Sequence, residues 1–151
     1  NIKDLIKFRK ECRLKLIDFY VANDIKLSVL LNSDGIYLSS YNESFKALNL
    51  KKCNFKIIGS AHNIKEINLK LKQGCSYILL SKLFLVNYDI SSSFLDVIKF
   101  KSILTNDPKK IIPLGGINSN NLNKLKSINC VGFALLSEIK KKPAKIINRL
   151  F

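Results

Sequence analysis

An alternation of two sequence periods constrains this chain more than any other feature. Short strand-like runs, Leu16–Val21, Asp34–Ser40 with its opening turn, Phe55–Ser60, Ser76–Ser81, Ile111–Leu114 and Val131–Leu135, take turns with stretches of helical spacing. The helical stretches are Ile25–Leu31, Ser44–Leu50, Ile64–Lys72, Phe94–Lys101 and Ser119–Lys126, with an amphipathic helix over Asn1–Arg13 in front and a Lys-rich helix from Ser137 behind. Strands that read as unbroken apolar runs are buried on both faces, which happens in parallel sheets covered by helices. Gln73-Gly74 stands where a helix C-cap belongs, and Asn106-Asp107-Pro108 reads as a loop, as does Lys82–Ser93. No low-complexity tract or Pro/Gly-rich linker divides the 151 residues, so they are expected to form a single α/β domain of about six strand–helix units.

Ligands of such folds bind beyond the C-terminal ends of the strands. The residues gathered there are Asn23, Asp24, Ser39, Ser40, Ser60, His62, Ser81, Gly115, Gly116 and Ser137. The strand before Gly115-Gly116 ends in bare backbone and opens toward a helix at Ser119, the way α/β proteins build anion sites. The next strand ends at Leu136-Ser137, so two neighbouring strand ends can offer N–H groups to one phosphate. A tight turn without a ligand is the plainer use of a glycine pair. His62, the single histidine, can carry a proton near neutral pH or serve as a hydrogen-bonded structural residue. Ser60 can donate to a phosphate oxygen or cap the following helix. Asn23-Asp24 reads first as a helix cap, with Asp24 also a chemically suitable Mg²⁺ ligand. Asp34 is expected to serve its turn with Gly35.

Composition narrows the partners. A net charge of +15 would point to nucleic acid, but almost all of it is Lys, with arginine only at Arg9, Arg13 and Arg149, and it is spread along the chain. Nucleic-acid surfaces favour clustered Arg, so nucleic acid is not the expected partner. Cys12, Cys53, Cys75 and Cys130 form no CxxC pair and, with one His, make a zinc site a poor match. They are expected to be free thiols, mostly buried. The chain has no apolar run of membrane-spanning length and no secretory h-region at Asn1-Ile2-Lys3-Asp4, so the expectation is a soluble, cytoplasmic protein with no membrane partner. Its oligomeric state is open, a homo-oligomer included.

Five stretches taken in order, Asp34-Gly35-Ile36-Tyr37-Leu38, Ile58-Gly59-Ser60-Ala61-His62, Gly74-Cys75-Ser76-Tyr77-Ile78, Leu114-Gly115-Gly116-Ile117 and Val131-Gly132-Phe133-Ala134-Leu135-Leu136-Ser137, resemble the thiamine phosphate synthase / TenI family. The resemblance runs from about Leu16 to near the end. It implies a (β/α)8 TIM barrel and thiamine biosynthesis: a transferase joining an aminopyrimidine pyrophosphate to thiazole phosphate, with Mg²⁺ assisting pyrophosphate release. TenI-like relatives instead act as tautomerases that aromatise the thiazole phosphate by a proton shift. Carried over by position, Gly115, Gly116, Leu136 and Ser137 would hold the thiazole phosphate, Ser60 would contact pyrophosphate, and His62 would be the tautomerase proton carrier. Asn23 and Asp24 resemble the metal motif, although the spacing onward to Asp34-Gly35 is one residue short. Asn42 stands where the second metal carboxylate belongs, and the Thr-x-Thr-Lys pyrophosphate clamp, due near Leu85–Tyr88, is absent.

The chain begins at what resembles the barrel's second helix, leaving the first two strands and one helix unaccounted for. Since six strands cannot close an eight-stranded barrel, the expectation is a fragment, the alternative being a gap closed by a partner chain. Three functions stay in play: a synthase, a thiazole phosphate tautomerase, and a non-catalytic module binding a phosphorylated metabolite or a polyanion.

Overall fold

The computed structural model describes residues 1–53, 55–86, 93–104 and 110–136, with residues 51–53 by backbone alone. The elements run α1 Ile2–Leu14, β1 Tyr20–Ala22, α2 Ile25–Leu30, β2 Gly35–Leu38, a 3₁₀ helix Lys46–Cys53, β3 Lys56–Ala61, α3 Ile64–Lys72, β4 Tyr77–Ser81, α4 Asp96–Ile103, β5 Ile111–Leu114 and a 3₁₀ helix Leu122–Ser127. The fold is α/β, with the five strands in chain order in one sheet. β1 pairs with β2 and β2 with β3 in parallel, Val21 opposite Ile36 and Ile36 opposite Ile57. Helical crossovers between consecutive strands produce that direction.

The backbone divides into two compact units, Asn1–Ala61 with Lys65–Ile78, and His62–Ile64 with Leu79–Phe151. In the first, Ile36, Leu38, Ile57 and Ile78 are buried. Full burial of such a side chain contributes about 1.5–3 kcal/mol. α1 departs from the amphipathic expectation: Ile2, Ile6 and Phe8 are exposed, and the buried residues are Arg9 and Cys12. The Arg9 guanidinium donates to Asp34 Oδ1 at 2.9 Å and to the Asn32 carbonyl at 3.1 Å, while Asp34 Oδ2 accepts from Phe19 N–H at 2.8 Å. Asp34 therefore ties α1 to the turn before β2, a larger task than the turn itself. In the second unit Leu80, Leu83, Phe84, Phe100, Ile111 and Leu125 are buried.

The strand expected from Leu16 starts only at Tyr20. Leu16 takes φ 55° and Ile17 N–H returns to the Cys12 carbonyl at 2.9 Å, so these residues close the end of α1. Two segments expected as helices are 3₁₀. The expectation of six strands meets five among the described residues. At the sixth position a single parallel bridge joins Leu114 to Ala134, with Ala134 N–H donating to the Pro113 carbonyl at 2.9 Å. Gly132 offers no side chain to pack there and Val131 is exposed, which removes the drive to extend the ladder. The helix expected from Ser137 and the loop at 106–108 lie outside the described residues. Cys12 and Cys75 are buried free thiols, and Cys130 is a half-buried one. Among the described residues no helix is long and apolar enough to cross a membrane.

Candidate active site

In the first unit the polar residues at the ends of β1 and β2 form one hydrogen-bonded corner. Asn23 follows β1 at φ 57°, a left-handed conformation that Asn tolerates better than most residues. Its N–H donates to the Tyr37 carbonyl at 2.8 Å. Its Oδ1 accepts from Ser39 N–H at 3.0 Å, Ser39 Oγ at 3.1 Å and Asn42 Nδ2 at 2.9 Å. Its Nδ2 donates to Ser39 Oγ at 2.9 Å and Tyr41 Oη at 3.3 Å. Asp24 is the N-cap of α2, its Oδ1 accepting from Leu27 N–H at 2.9 Å. A groove of about 500 Å³ adjoins this corner, with Ile36, Leu38 and Ala47 among its apolar lining and Lys26 and Lys46 among its polar lining.

Magnesium seeks charged or well-exposed oxygens in octahedral array. Here the central amide oxygen already has three donors, one Asp24 oxygen is spent on the cap, and Asn42 turns an N–H toward Asn23. Among the described residues no group of three His, Cys, Asp or Glu could hold a metal ion. The residues expected to hold Mg²⁺ do not fit it, and no step is assigned to the ion.

β3 in the same unit carries Ser60 at its end. The residue is 6% exposed. A hydroxyl there can donate to a ligand or accept an N–H as a helix cap.

The second unit holds the glycine turn. Gly115 and Gly116 take φ 95° and 69°. A Cβ on Gly116 would stand 2.5 Å from the carbonyl oxygens of both Phe84 and Leu85, so only bare backbone fits. Leu83 N–H donates to the Leu114 carbonyl at 2.9 Å and Phe84 N–H to the Gly115 carbonyl at 3.0 Å. The turn is fixed from the other side as well: Asn118 Nδ2 and Asn121 Nδ2 donate to the Gly116 carbonyl at 3.2 and 2.8 Å. Asn118 Oδ1 accepts from Asn120 N–H at 2.9 Å. Thus Asn118 and Asn121, rather than Ser119, organise the entry to the 3₁₀ helix. The Gly115 and Gly116 N–H groups have no acceptor among the described residues. The Leu114–Ala134 bridge sets Gly116 and Leu136 at the same offset along neighbouring segments. Leu136 is 60% exposed. Ser137, expected beside it, lies outside the described residues. His62 is exposed just before α3 and is not without a partner.

Sequence reading missed Lys70. The helical period assigns it to the outer face of α3, yet it is completely buried, and burial lowers its ammonium pKa from the ordinary value. One signal was available: Lys70 lies three residues after the buried Ile67, on the same stripe.

A family model described as thiamine monophosphate synthase matches residues 2–139. Among curated relatives, the thiamine-phosphate synthase of Prochlorococcus marinus subsp. pastoris is 29% identical over 97% of this chain and 44% of its own length. That of Clostridioides difficile is 21% identical over 93% of this chain and 67% of its own. The chain thus spans less than half the length of the Prochlorococcus relatives it matches, 44% and 40%. Among solved structures, a thiamine phosphate pyrophosphorylase from Pyrococcus furiosus superposes with a TM-score of 0.70 at 14% identity, covering 100% of this chain and 79% of that one. The second likeness is one of fold.

Proposed function

The chain belongs to the thiamine monophosphate synthase family, and on that premise we propose that it binds thiazole phosphate and joins it to an aminopyrimidine pyrophosphate, releasing pyrophosphate. The observation that carries this reading is the Gly115–Gly116 turn: two N–H groups without an acceptor among the described residues, on backbone fixed from two sides. Such a turn binds a phosphate with no reorganisation of the protein, which is what makes fixed backbone donors effective. In this reading Gly116, Leu136 and Ser137 grip the thiazole phosphate, and Gly115 shapes the turn. Ser60 donates to the departing pyrophosphate, whose developing charge a hydroxyl stabilises more strongly than it does the bound substrate. The five strands are then part of an eight-stranded barrel in a single domain over residues 1–151. The setting proposed is cytoplasmic, the partners are phosphorylated small molecules, and a homo-oligomer is compatible with it.

One observation favours a second reading. The Asn23–Asn42 corner is filled by protein donors, and a tautomerase needs no pyrophosphate departure and no metal at that corner. In that reading His62 moves a proton on the bound thiazole phosphate. Turnover of thiazole phosphate, with and without the pyrimidine pyrophosphate and Mg²⁺, separates the two. Product only with the pyrimidine present removes the tautomerase, and product without it removes the synthase. Micromolar thiazole phosphate binding with no turnover leaves a non-catalytic module. A steep negative salt slope for nucleic-acid binding is the mark of the polyanion version of that module.

A further inference from the structure

Lys70 is out of place for a surface helix. It is 0% exposed, and its Nζ donates to the Asn42 carbonyl at 2.6 Å and to Gln73 Oε1 at 3.0 Å. Gly59 on β3 makes the room: a Cβ there would stand 2.9 Å from Lys70 Cδ and 2.9 Å from Cys75 Sγ. Gln73, also 0% exposed, donates from Nε2 to the Asn42 and Ser44 carbonyls, each at 2.9 Å. Three hydrogen bonds from one end of α3 therefore converge on residues 42–44. Burying an amine with only neutral acceptors costs more than an apolar residue of similar volume would. The cost is matched to one effect, the fixed position of this loop.

That position decides what the Asn42 side chain does. Its Nδ2 reaches Asn23 Oδ1, which already accepts from Ser39 N–H and Ser39 Oγ. An amide oxygen has two lone pairs, so three donors leave none for a cation. Asn42 Oδ1 is occupied as well, by Ser44 N–H at 2.9 Å. We propose that Lys70 and Gln73 are positioning residues that hold residues 42–44 so that the Asn42 amide closes over Asn23, and that this corner excludes a divalent cation. The inference rests on reading Asn23, Asp24 and Asn42 as the counterpart of the family's metal corner. It extends that reading by assigning the closure to a buried pair on α3.

The test uses the full chain and Mn²⁺ alone, read by the loss of the free-ion electron paramagnetic resonance signal, so that it does not depend on turnover. The wild type is expected to bind Mn²⁺ more weakly than about 1 mM at this corner. Asn42→Asp replaces the closing donor with a carboxylate beside Asp24 and is expected to tighten Mn²⁺ binding by about tenfold or more. Lys70→Met is expected to speed amide hydrogen exchange at residues 42–44 by about tenfold or more. It should also shift the side-chain amide resonances of Asn23 and Asn42. Should Lys70→Met fail to fold, Gln73→Glu carries the same exchange and resonance test, since it keeps the shape but has no donor for Asn42 and Ser44. Wild-type Mn²⁺ binding near 0.1 mM that Asp24→Asn abolishes would overturn the proposal on the scale of weak protein sites, roughly 0.1–1 mM. A folded Asn42→Asp protein with unchanged Mn²⁺ affinity would overturn it too, as would a folded Lys70 or Gln73 variant with unchanged exchange and resonances. Loss of the proposed synthase activity on other grounds would leave these readouts untouched.

Discussion

Replacing Gly116 with alanine tests the glycine turn as backbone and as ligand site at once. The residue sits at φ 69°, where a side chain in the left-handed region costs about 1–2 kcal/mol. The new Cβ would also stand 2.5 Å from the Phe84 and Leu85 carbonyl oxygens, which real Cβ atoms do not tolerate, and overpacking of that kind costs about 1–3 kcal/mol. Both obstacles are backbone, so no flexible side chain can swing away to relieve them. The expected loss is therefore about 2–5 kcal/mol, a large share of the roughly 5–15 kcal/mol that holds a domain together. Gly132→Ala is the internal control, because a Cβ there meets nothing within 4 Å and its φ is not in the left-handed region. It should stay within about 0.5 kcal/mol of wild type, or gain slightly by stiffening the unfolded chain. Urea unfolding of both variants, followed by circular dichroism, gives the comparison, and isothermal titration with thiazole phosphate gives the binding half. Equal stability of the two variants would refute the close approach of Gly116 to Phe84 and Leu85. Undiminished phosphate affinity in a folded Gly116→Ala protein would refute the cradle.

Asp34→Asn weakens the Arg9 pair and leaves Phe19 N–H facing an amide, so urea unfolding should register a loss of about 1–3 kcal/mol; no change would mean that α1 is not tied down there. Asp24→Ala removes the α2 cap at about 1 kcal/mol, measured in the same way. Ser60→Ala should keep its stability while lowering turnover with the pyrimidine pyrophosphate, and unchanged turnover takes Ser60 out of the site. The hydrogen bond from Lys56 holds the Asp18 carboxyl below its ordinary value of 3.8. The folded state thus binds its proton more weakly than the unfolded state, so this contribution is present above pH 3.8 and is lost as pH falls through the lower folded value. Asp18→Asn should flatten the acid limb of the stability profile, by a small amount because the pair is exposed.

What was legible in the sequence follows from range. Asp24 capping α2 and Gly74 ending α3 at φ 78° are local matters of one side chain and one dihedral, and both are seen where the sequence reading puts them. Five of the six apolar runs contain strands, because a run buried on both faces has few alternatives. The helix type at Lys46–Cys53 and Leu122–Ser127 was not legible, since in so short a segment the i, i+3 spacing fits both an α and a 3₁₀ turn. The start of β1 was misread because Leu16 and Ile17 are apolar, and the pattern cannot tell a strand from the apolar residues that close a helix end. Arg9 and Lys70 were illegible for another reason: a period predicts which face a residue occupies, while its burial depends on what the opposite element leaves open. Gly59 leaves open the space that Lys70 fills, and the two are far apart in sequence.

The two candidate corners, each taken within its own unit, also differ in kind, and that difference bears on the chemistry. At Asn23 the side-chain amide oxygen and nitrogen are both engaged by neighbours, so a ligand entering there must first break protein hydrogen bonds, each worth about 0.5–1.5 kcal/mol net. At Gly115–Gly116 the backbone is equally fixed, but its two N–H groups have no acceptor among the described residues, so an oxyanion gains their hydrogen bonds at no such cost. Buried or half-buried donors left unpaired are costly in the free protein and are repaid when an anion arrives. Phosphate affinity should therefore survive substitutions at Asn23 and Asn42 and fall with those at Gly116. Coupling to a pyrimidine pyrophosphate should depend on Ser60 and on whatever replaces a metal at the closed corner. A protein that keeps phosphate binding intact while losing turnover on mutation of Ser60 would separate the two steps, and that separation is what the contrast between a closed and an open corner requires.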